Sequence, residues 1–315
     1  MNQGAVLYLG PSDVLPVVQE ELSEYSVIHA ASTEEVGAVI PGCVGVIDAS
    51  MKIRFDASII SRASSLRAFA TATTGATHID RHALEARGVP LLTLQGQSEF
   101  LRNITPAAEL SWMLLMMCAR RARPAVQHVL DGRWDRTQFP GHMLNGRSLG
   151  IIGCGRIGQW MARYGAAFGM VVRGHDPGLT RWPDGIERCE LDEVLGTCDF
   201  VSLHVPYSEQ LRGMIGAVQV RRMKQGCIFI NTARGELVDE SALRDAILDG
   251  HLGGIGVDVL CGEPDTAGHP LVELAKISPN VVVTPHIGGF SPDALSKVVR
   301  FACARLCSAL GEGVP

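Results

Sequence analysis

Short apolar runs rich in β-branched residues alternate with helical patterns along nearly the whole chain. This alternation is typical of parallel sheets whose strands are joined by crossover helices, so it predicts an α/β fold. The runs form two blocks, and the second is the longer. Strands are predicted at 5–9, 26–29, 44–47, 68–71 and 90–93 in the first block, and at 148–152, 170–173, 200–203, 228–231, 255–259 and 281–284 in the second.

The length of 315 residues allows about two domains, each with its own core. We predict that residues 103–290 form one domain around a doubly wound parallel sheet. A helical pattern at 291–310 can return to pack on the first block, so residues 1–102 and 291–315 are predicted to form a discontinuous second domain. The apolar helical run at 103–123 has two interpretations, burial inside a domain or packing against a second subunit.

Overall charge and cysteine usage exclude several classes of protein. There are 28 basic and 33 acidic residues, a net charge of −5, so no global field attracts nucleic acid or anionic lipid and we expect small-molecule partners. The nine cysteines are scattered without a CxxC pair, which argues against a disulfide framework or a zinc cluster. The amino terminus lacks a signal-peptide pattern and no apolar run approaches about 20 residues, so we expect a cytoplasmic protein without a membrane segment.

A glycine-rich segment follows the first predicted strand of the second block. Gly153, Gly155 and Gly158 form a GxGxxG pattern, with Arg156 and Ile157 inside it, where a helical pattern begins. The first glycine permits a tight turn, the second lets the backbone approach a diphosphate, and the third allows close packing of helix on strand. The amides at the helix N-terminus stabilise phosphate charge. The segment therefore predicts a dinucleotide site, and a glycine-rich turn without a ligand is the structural alternative.

An acidic residue stands where a dinucleotide site requires one. Asp176 ends the next predicted strand, 18 residues after Gly158 (176 − 158), where a carboxylate can bind the hydroxyls of the adenosine ribose. Its charge would repel a 2′-phosphate, so the predicted cofactor is NAD rather than NADP. Arg173, His175 and Arg181 lie close in sequence and could weaken that preference, so NADP stays open as the second choice.

Three further segments, 230–235, 256–264 and 284–289, each follow a predicted strand of the second block. Ligands of an open parallel sheet bind beyond the carboxyl ends of its strands, so Arg234, Glu263 and His286 can converge there. Each residue alone also has an ordinary structural interpretation: an arginine capping a helix, a glutamate at a turn, a histidine filling a strand end. Together, after a dinucleotide pattern, they predict a catalytic site.

With these segments in this order, the sequence resembles the D-isomer-specific 2-hydroxyacid dehydrogenase family, which includes phosphoglycerate, glycerate, lactate and phosphite dehydrogenases. The resemblance extends from the segment 74–80 to the segment that contains His286. It implies an NAD-dependent oxidoreductase that transfers a hydride between nicotinamide and C2 of a small D-2-hydroxy acid or 2-oxo acid. Arg234 would bind the substrate carboxylate through its two-pronged guanidinium. His286 would exchange the proton at the 2-oxygen, with Glu263 holding the other ring nitrogen.

The resemblance also implies the architecture and the remaining site residues. It implies two Rossmann-like or flavodoxin-like parallel-sheet domains separated by an active-site cleft, with 103–290 as the NAD-binding domain and 1–102 plus 291–315 as the substrate domain. The segment beginning at Ala108 matches a long helix that packs across a homodimer in relatives. Matching positions near the cofactor are His204, Pro206, Thr232, Asp258 and Gly288, and those near the substrate are Gly75 and Asn103.

Substrate specificity is the point at which the sequence departs from the family pattern. The segment 93–102 is longer than in many relatives by about five residues, and loops of this kind often carry specificity. We predict that Lys52 or Arg102 meets a second anionic group of the substrate, although plain solvation explains either cation equally well. His78 and His82 have a spacing that metals can use, but no second acidic ligand accompanies them, so no metal site is predicted.

Two other functions stay open at this point. Some relatives on the same scaffold are transcriptional corepressors that respond to nicotinamide nucleotides, and phosphite oxidation uses the same three residue types. The complete set of Arg234, Glu263 and His286 favours the enzyme over the corepressor, and the modest negative charge gives the corepressor no added support.

Overall fold

The computed structural model describes residues 3–311, and within that range the chain divides into two compact units. Residues 3–104 and 290–311 form unit 1, and residues 105–289 form unit 2. Each unit is built around one β-sheet with helices, and within each sheet the neighbouring strands are parallel. The α/β fold with two parallel sheets is therefore confirmed. Within the described residues, no helix combines the length and the apolar character needed to cross a membrane.

Unit 1 contains five strands in the order β2-β1-β3-β4-β5. Its last helix, which the sequence pattern predicted at 291–310, packs on β3 and β4 and on the first helix, and Leu306 and Leu310 are buried in that core. The elements of unit 1 are β1 (Ala5–Leu9), α1 (Leu15–Glu21), β2 (Ser26–His29), α2 (Thr33–Val39), β3 (Cys43–Asp48), α3 (Ala57–Arg62), β4 (Ala68–Thr71), α4 (Arg81–Glu85), β5 (Leu91–Leu92), α5 (Ser98–Leu101) and, last in the chain, α13 (Pro292–Gly311).

Unit 2 contains seven strands in the order β12-β11-β10-β9-β6-β7-β8. The order reverses around β6, and such a switch point opens a crevice at the carboxyl ends of the strands. Its elements are α6 (Pro106–Ala119), α7 (Ala122–Leu130), β6 (Ser148–Ile152), α8 (Arg156–Ala167), β7 (Val171–His175), β8 (Glu187–Arg188), α9 (Leu191–Thr197), β9 (Phe200–Leu203), α10 (Ala217–Arg222), β10 (Cys227–Asn231), α11 (Glu240–Leu248), β11 (Leu252–Val257), α12 (Pro270–Ile277) and β12 (Val281–Val283).

The structure corrects two boundaries of the sequence-based reading. The helical run predicted at 103–123 begins at Pro106 and ends at Ala119 as α6, and a second helix, α7, begins at Ala122 after Arg121, whose backbone takes a left-handed conformation with φ +50°. Strand β11 begins at Leu252, ahead of the predicted start at 255, despite the glycines at 253 and 254. A Cβ at Gly253 would lie 2.4 Å from the Gly226 carbonyl oxygen, and one at Gly254 would lie 2.4 Å from Asn280, so close neighbours require glycine in this strand.

Candidate active site

The residues predicted for the cofactor and for catalysis follow six neighbouring strands of the sheet in unit 2. Because parallel strands end at the same edge of a sheet, these residues share one edge. His286 and Gly288 follow β12, Asp258 and Glu263 follow β11, Thr232 and Arg234 follow β10, His204 and Pro206 follow β9, the glycine segment 153–158 follows β6, and Asp176 follows β7.

The glycine segment forms a tight turn that leads directly into α8. Gly153 has φ +90°, and a Cβ there would lie 2.6 Å from the His204 carbonyl oxygen. A Cβ at Gly158 would lie 2.2 Å from the Gly153 carbonyl oxygen, so the helix packs closely on the turn. Gly155 differs, because, its own chain neighbours aside, no atom of the described residues lies within 4 Å of the position that its Cβ would take. This open space at the amino end of a 12-residue helix fits a diphosphate group.

Asp176 lies beside the glycine turn and is held by two backbone amides. Its Oδ2 accepts a hydrogen bond from the amide of Cys154 at 2.9 Å, and its Oδ1 accepts one from Gly178 at 3.0 Å. Two of the three cations near it in sequence have other partners. Arg173 donates to Glu187 at 3.1 Å, and the His175 ring pairs with the Cys189 carbonyl at 3.1 Å. Arg181, the third, is exposed to solvent.

Buried hydroxyl and imidazole groups line the ends of β9 and β10. Nε2 of His204 lies 2.8 Å from the Ser202 hydroxyl, and burial lowers the pKa of this histidine to about 3, so the ring is neutral. The Thr232 hydroxyl lies 2.6 Å from that of Ser111, a contact between β10 and α6. Sequence reasoning missed Ser111, because 121 residues separate it from its partner.

Arg234 stands on a loop that Asn231 organises. The side chain of Asn231 accepts a hydrogen bond from the Ala233 amide at 2.9 Å and donates one to the Arg234 carbonyl oxygen at 2.9 Å. The guanidinium itself donates from Nη1 to the Ala233 carbonyl oxygen at 2.6 Å. Within residues 3–311 it is not paired with any carboxylate, so its charge is available to an anionic ligand.

Glu263 and His286 form a hydrogen-bonded pair. Oε1 of Glu263 accepts from Nδ1 of His286, and Oε2 accepts from the Leu260 amide at 3.2 Å. The side chains of His286 and Glu263 are 30% and 29% exposed. With Nδ1 engaged by a carboxylate, Nε2 is the ring atom left to exchange a proton with a ligand.

The loop that carries His286 is held by Asp258. The backbone at His286 has φ +53°, an uncommon conformation for a residue with a side chain. The buried Asp258 carboxylate accepts hydrogen bonds from the Thr284 hydroxyl at 2.6 Å and from the amides of Ile287 at 2.9 Å and Gly288 at 2.7 Å. Burial raises the pKa of this carboxyl, although these three bonds oppose the shift. The contacts of Asp258 therefore position the histidine loop.

Gly235 allows the Arg234 loop to pack on the Glu263 loop. A Cβ at Gly235 would lie 2.1 Å from the backbone nitrogen of Cys261 and 2.2 Å from the carbonyl carbon of Leu260. We expect Gly235→Ala to lower the free energy of unfolding by about 1–3 kcal/mol, because the two backbones must move apart. Urea unfolding measures this. The matched control is Gly42→Ala, since within residues 3–311 only its own chain neighbours come within 4 Å of that Cβ position. Equal stability of the two variants would contradict the predicted packing.

The residues predicted for the substrate, apart from Arg234, belong to unit 1. Lys52 and Asn103 are exposed, as is Arg102, and Gly75 is half-buried with its carbonyl oxygen accepting from the Thr73 hydroxyl at 2.6 Å. Their roles stay predictions. His78, considered above as a metal ligand with His82, instead pairs with the buried Asp48 at 2.7 Å. Among the described residues, no group of three or more metal-ligating side chains is present.

Comparison with known proteins identifies relatives of the chain. The sequence profile of the "D-isomer specific 2-hydroxyacid dehydrogenase, NAD binding domain" matches residues 112–288. The D-3-phosphoglycerate dehydrogenase of Mycobacterium tuberculosis is 37% identical over 82% of this chain, but the chain spans only 48% of the length of that relative. The hydroxypyruvate reductase of Thermotoga maritima is 34% identical, with 84% of each chain covered.

A solved structure agrees with these relatives. The D-lactate dehydrogenase of Aquifex aeolicus, crystallised with NAD and lactic acid, has a TM-score of 0.83 and 26% identity, covering 96% of this chain and 94% of that one. The family profile matches more than half of the chain, and the hydroxypyruvate reductase aligns over most of both chains. Both findings agree with the arrangement of Arg234, Glu263 and His286. The chain belongs to the D-isomer-specific 2-hydroxyacid dehydrogenase family.

Proposed function

We propose that the chain is an NAD-dependent oxidoreductase that transfers a hydride between nicotinamide and C2 of a small D-2-hydroxy acid or 2-oxo acid. The observation that carries the proposal is the hydrogen-bonded Glu263–His286 pair, on loops next to the one that bears the unpaired Arg234 guanidinium. An acid–base pair beside a cation is what the reduction of a carboxylate-bearing carbonyl compound requires. The names of the relatives support the same reaction class.

The roles of the three side chains follow from their chemistry. Arg234 binds the substrate carboxylate with two parallel N–H donors and so fixes the orientation of C2. His286 donates its Nε2 proton to the 2-oxo oxygen during reduction, and it accepts the hydroxyl proton during oxidation. Glu263 holds Nδ1 and stabilises the protonated ring. The bound nicotinamide supplies or accepts the hydride.

NAD is the proposed cofactor, and the residues at the edge of the sheet fit it. The open space at Gly155 and the amides of the first turn of α8 would hold the diphosphate, with Arg156 and Ile157 in that turn. Asp176 would accept the ribose hydroxyls and repel a 2′-phosphate. Since Arg173 and His175 are engaged by Glu187 and by a backbone carbonyl, neither offsets that repulsion.

An absorbance assay tests the proposed function. Purified protein is mixed with NADH, or in parallel with NADPH, and with glyoxylate, pyruvate, hydroxypyruvate or 3-phosphohydroxypyruvate. We expect oxidation of NADH with at least one acid, at a higher kcat/KM than with NADPH. Tight NADH binding without turnover of any acid would contradict the enzyme and favour a nucleotide-responsive binding protein. A preference for the phosphorylated acid would support the proposed role of Lys52 or Arg102, and its absence would contradict that role.

We also propose that the chain forms a homodimer through unit 2. Its helix α6 buries Leu114, Leu115 and Cys118 inside its own unit, but large apolar side chains from α6 to the end of α8 stay exposed. Trp134 is 90% exposed, and large exposed apolar side chains of this kind are what an interface would bury. The family resemblance favours a second copy as its partner. The exposed side chains are Met113, Val126, Val129, Leu130, Trp134, Met143 and Phe168.

Light scattering after gel filtration tests the homodimer. We expect a mass of twice 33.8 kDa for the wild-type protein. The double variant Leu130→Asp with Trp134→Glu should shift the mass toward the monomer, because it buries two charges in the proposed interface. The matched control is Leu248→Asp, which changes an exposed leucine elsewhere in unit 2. A wild-type protein that elutes as a monomer at micromolar concentration would overturn this proposal.

A further inference from the structure

The segment that carries Glu263 is exposed along most of its length. It joins β11 to α12, and six of the eight residues 261–268 are exposed to solvent. Its backbone hydrogen bonds are few, such as the 3.1 Å bond from the His269 amide to the Thr266 carbonyl oxygen. A segment of this kind opens easily unless other groups fix it. The position of Glu263 opposite His286 therefore needs an explanation outside the pair itself.

The carboxylate of Glu240 bonds to both ends of this segment. Oε1 accepts a hydrogen bond from the Cys261 amide at 3.1 Å, and Oε2 lies 2.8 Å from Nε2 of His269. Glu240 is the first residue of α11, whose amino terminus is capped by the Asp239 side chain. The side chains of Glu240 and His269 are only 10% and 8% exposed. We call these two residues the Glu240–His269 clamp.

The tautomer of His269 is determined by its second contact. Nδ1 of His269 accepts a hydrogen bond from the Leu271 amide at 3.3 Å, because His269 is the N-cap of α12. An accepting Nδ1 carries no proton, so the hydrogen of the neutral ring lies on Nε2 and is donated to Glu240. Both oxygens of Glu240 therefore act as acceptors. Glutamine, which has one carbonyl oxygen, could replace only one of these two bonds.

We infer that Glu240, through the Glu240–His269 clamp, is a positioning residue for Glu263. The clamp fixes the segment two residues before Glu263 and six residues after it. Among the described residues, the polar partners of the two side chains are Cys261, Leu271 and each other, so the clamp acts by holding Glu263 where its carboxylate meets the imidazole. The effect of the clamp on turnover rests on the proposed function. Its effect on the position of the segment 261–268 can be tested even if the proposed function is wrong.

Hydrogen–deuterium exchange tests the structural part. In Glu240→Ala, we expect faster exchange of the amides in 260–268, while the amides of α8 and of unit 1 keep their wild-type rates. Unchanged exchange of 260–268 would overturn the inference. Because this measurement needs no substrate, its result does not depend on whether the protein turns over any 2-oxo acid.

Steady-state kinetics test the consequence for catalysis. We expect kcat to fall about 10²-fold in Glu240→Ala, since a misplacement near 1 Å can have that effect. In Glu240→Gln, which keeps one bond, the expected fall is about tenfold. The dissociation constant for NADH should not change. The control is Glu273→Ala, an exposed glutamate of α12 that pairs with Lys276. A loss of NADH affinity equal to the loss of kcat would indicate a general structural role and contradict the inference.

Two further variants separate positioning from folding. His269→Asn keeps an N-cap acceptor for α12 but is too short to reach Glu240, so kcat should fall while the stability of the fold is kept. In a Glu263→Gln background, Glu240→Ala should lower kcat little further, because the residue on which it acts is already altered. Wild-type kcat in His269→Asn, or full additivity with Glu263→Gln, would contradict a positioning role.

Discussion

Replacement of His286 by glutamine should lower kcat for reduction of the preferred 2-oxo acid by about 10²–10⁴-fold, the range that a positioned general acid contributes. The imidazole is held by Glu263 through Nδ1, and an amide in its place cannot exchange a proton at neutral pH. Initial rates of NADH oxidation at saturating 2-oxo acid measure the effect.

A low kcat in His286→Gln could also come from weaker cofactor binding or from a less stable fold. The dissociation constant for NADH and the free energy of unfolding test these two causes. Both should match the wild-type protein, since the glycine segment 153–158 and Asp176 follow β6 and β7, whereas His286 follows β12. His82→Gln is the matched control, because this ring is 98% exposed and lies in unit 1. Adding Glu263→Gln to His286→Gln should lower kcat little further, because residues that act as a unit are not additive. Residual activity above about a tenth of wild type would contradict the role of His286 as the general acid.

The parts of the site that sequence predicted best depend on short-range patterns. The glycine segment and Asp176 were found because each has a fixed place relative to one strand and one helix, and the Cβ distances at Gly153 and Gly158 give the physical reason for the glycines. Arg234, Glu263 and His286 were proposed because each follows a predicted strand. Parallel strands then bring residues far apart in the chain to one edge of the sheet.

The parts that sequence did not predict depend on contacts between distant segments. Glu240 and His269 are 29 residues apart, and neither stands in a motif, so their pairing is visible only in three dimensions. The break between α6 and α7 was missed because Arg121, a residue with no special preference for φ +50°, interrupts an apolar run. The start of β11 was missed because glycines are unusual inside a strand. Close contacts with Gly226 and Asn280 require them here, and these contacts cannot be predicted from the local sequence.

Replacement of Arg234 by glutamine should lower kcat/KM for the 2-oxo acid by about 10²–10³-fold. Loss of one partner from a desolvated, hydrogen-bonded charge pair costs about 2–5 kcal/mol, and this range includes that factor. Arg234→Lys should keep the charge but not the two parallel donors, so it should recover only part of the loss. Initial rates over a range of substrate concentrations measure the effect.

A low kcat/KM in Arg234→Gln has two possible causes, loss of the group that binds the substrate carboxylate and disturbance of the fold. The affinity for NADH distinguishes them. NADH affinity should be unchanged, because the guanidinium has no carboxylate partner within the described residues and its loss leaves no buried charge unpaired. Added guanidinium ion should restore part of the activity. The matched control is Arg244→Gln, since Arg244 is 41% exposed and pairs only locally with Asp245. If Arg234→Gln kept the wild-type kcat/KM, the substrate carboxylate would have to bind elsewhere, and the proposed orientation of C2 beside His286 would be wrong.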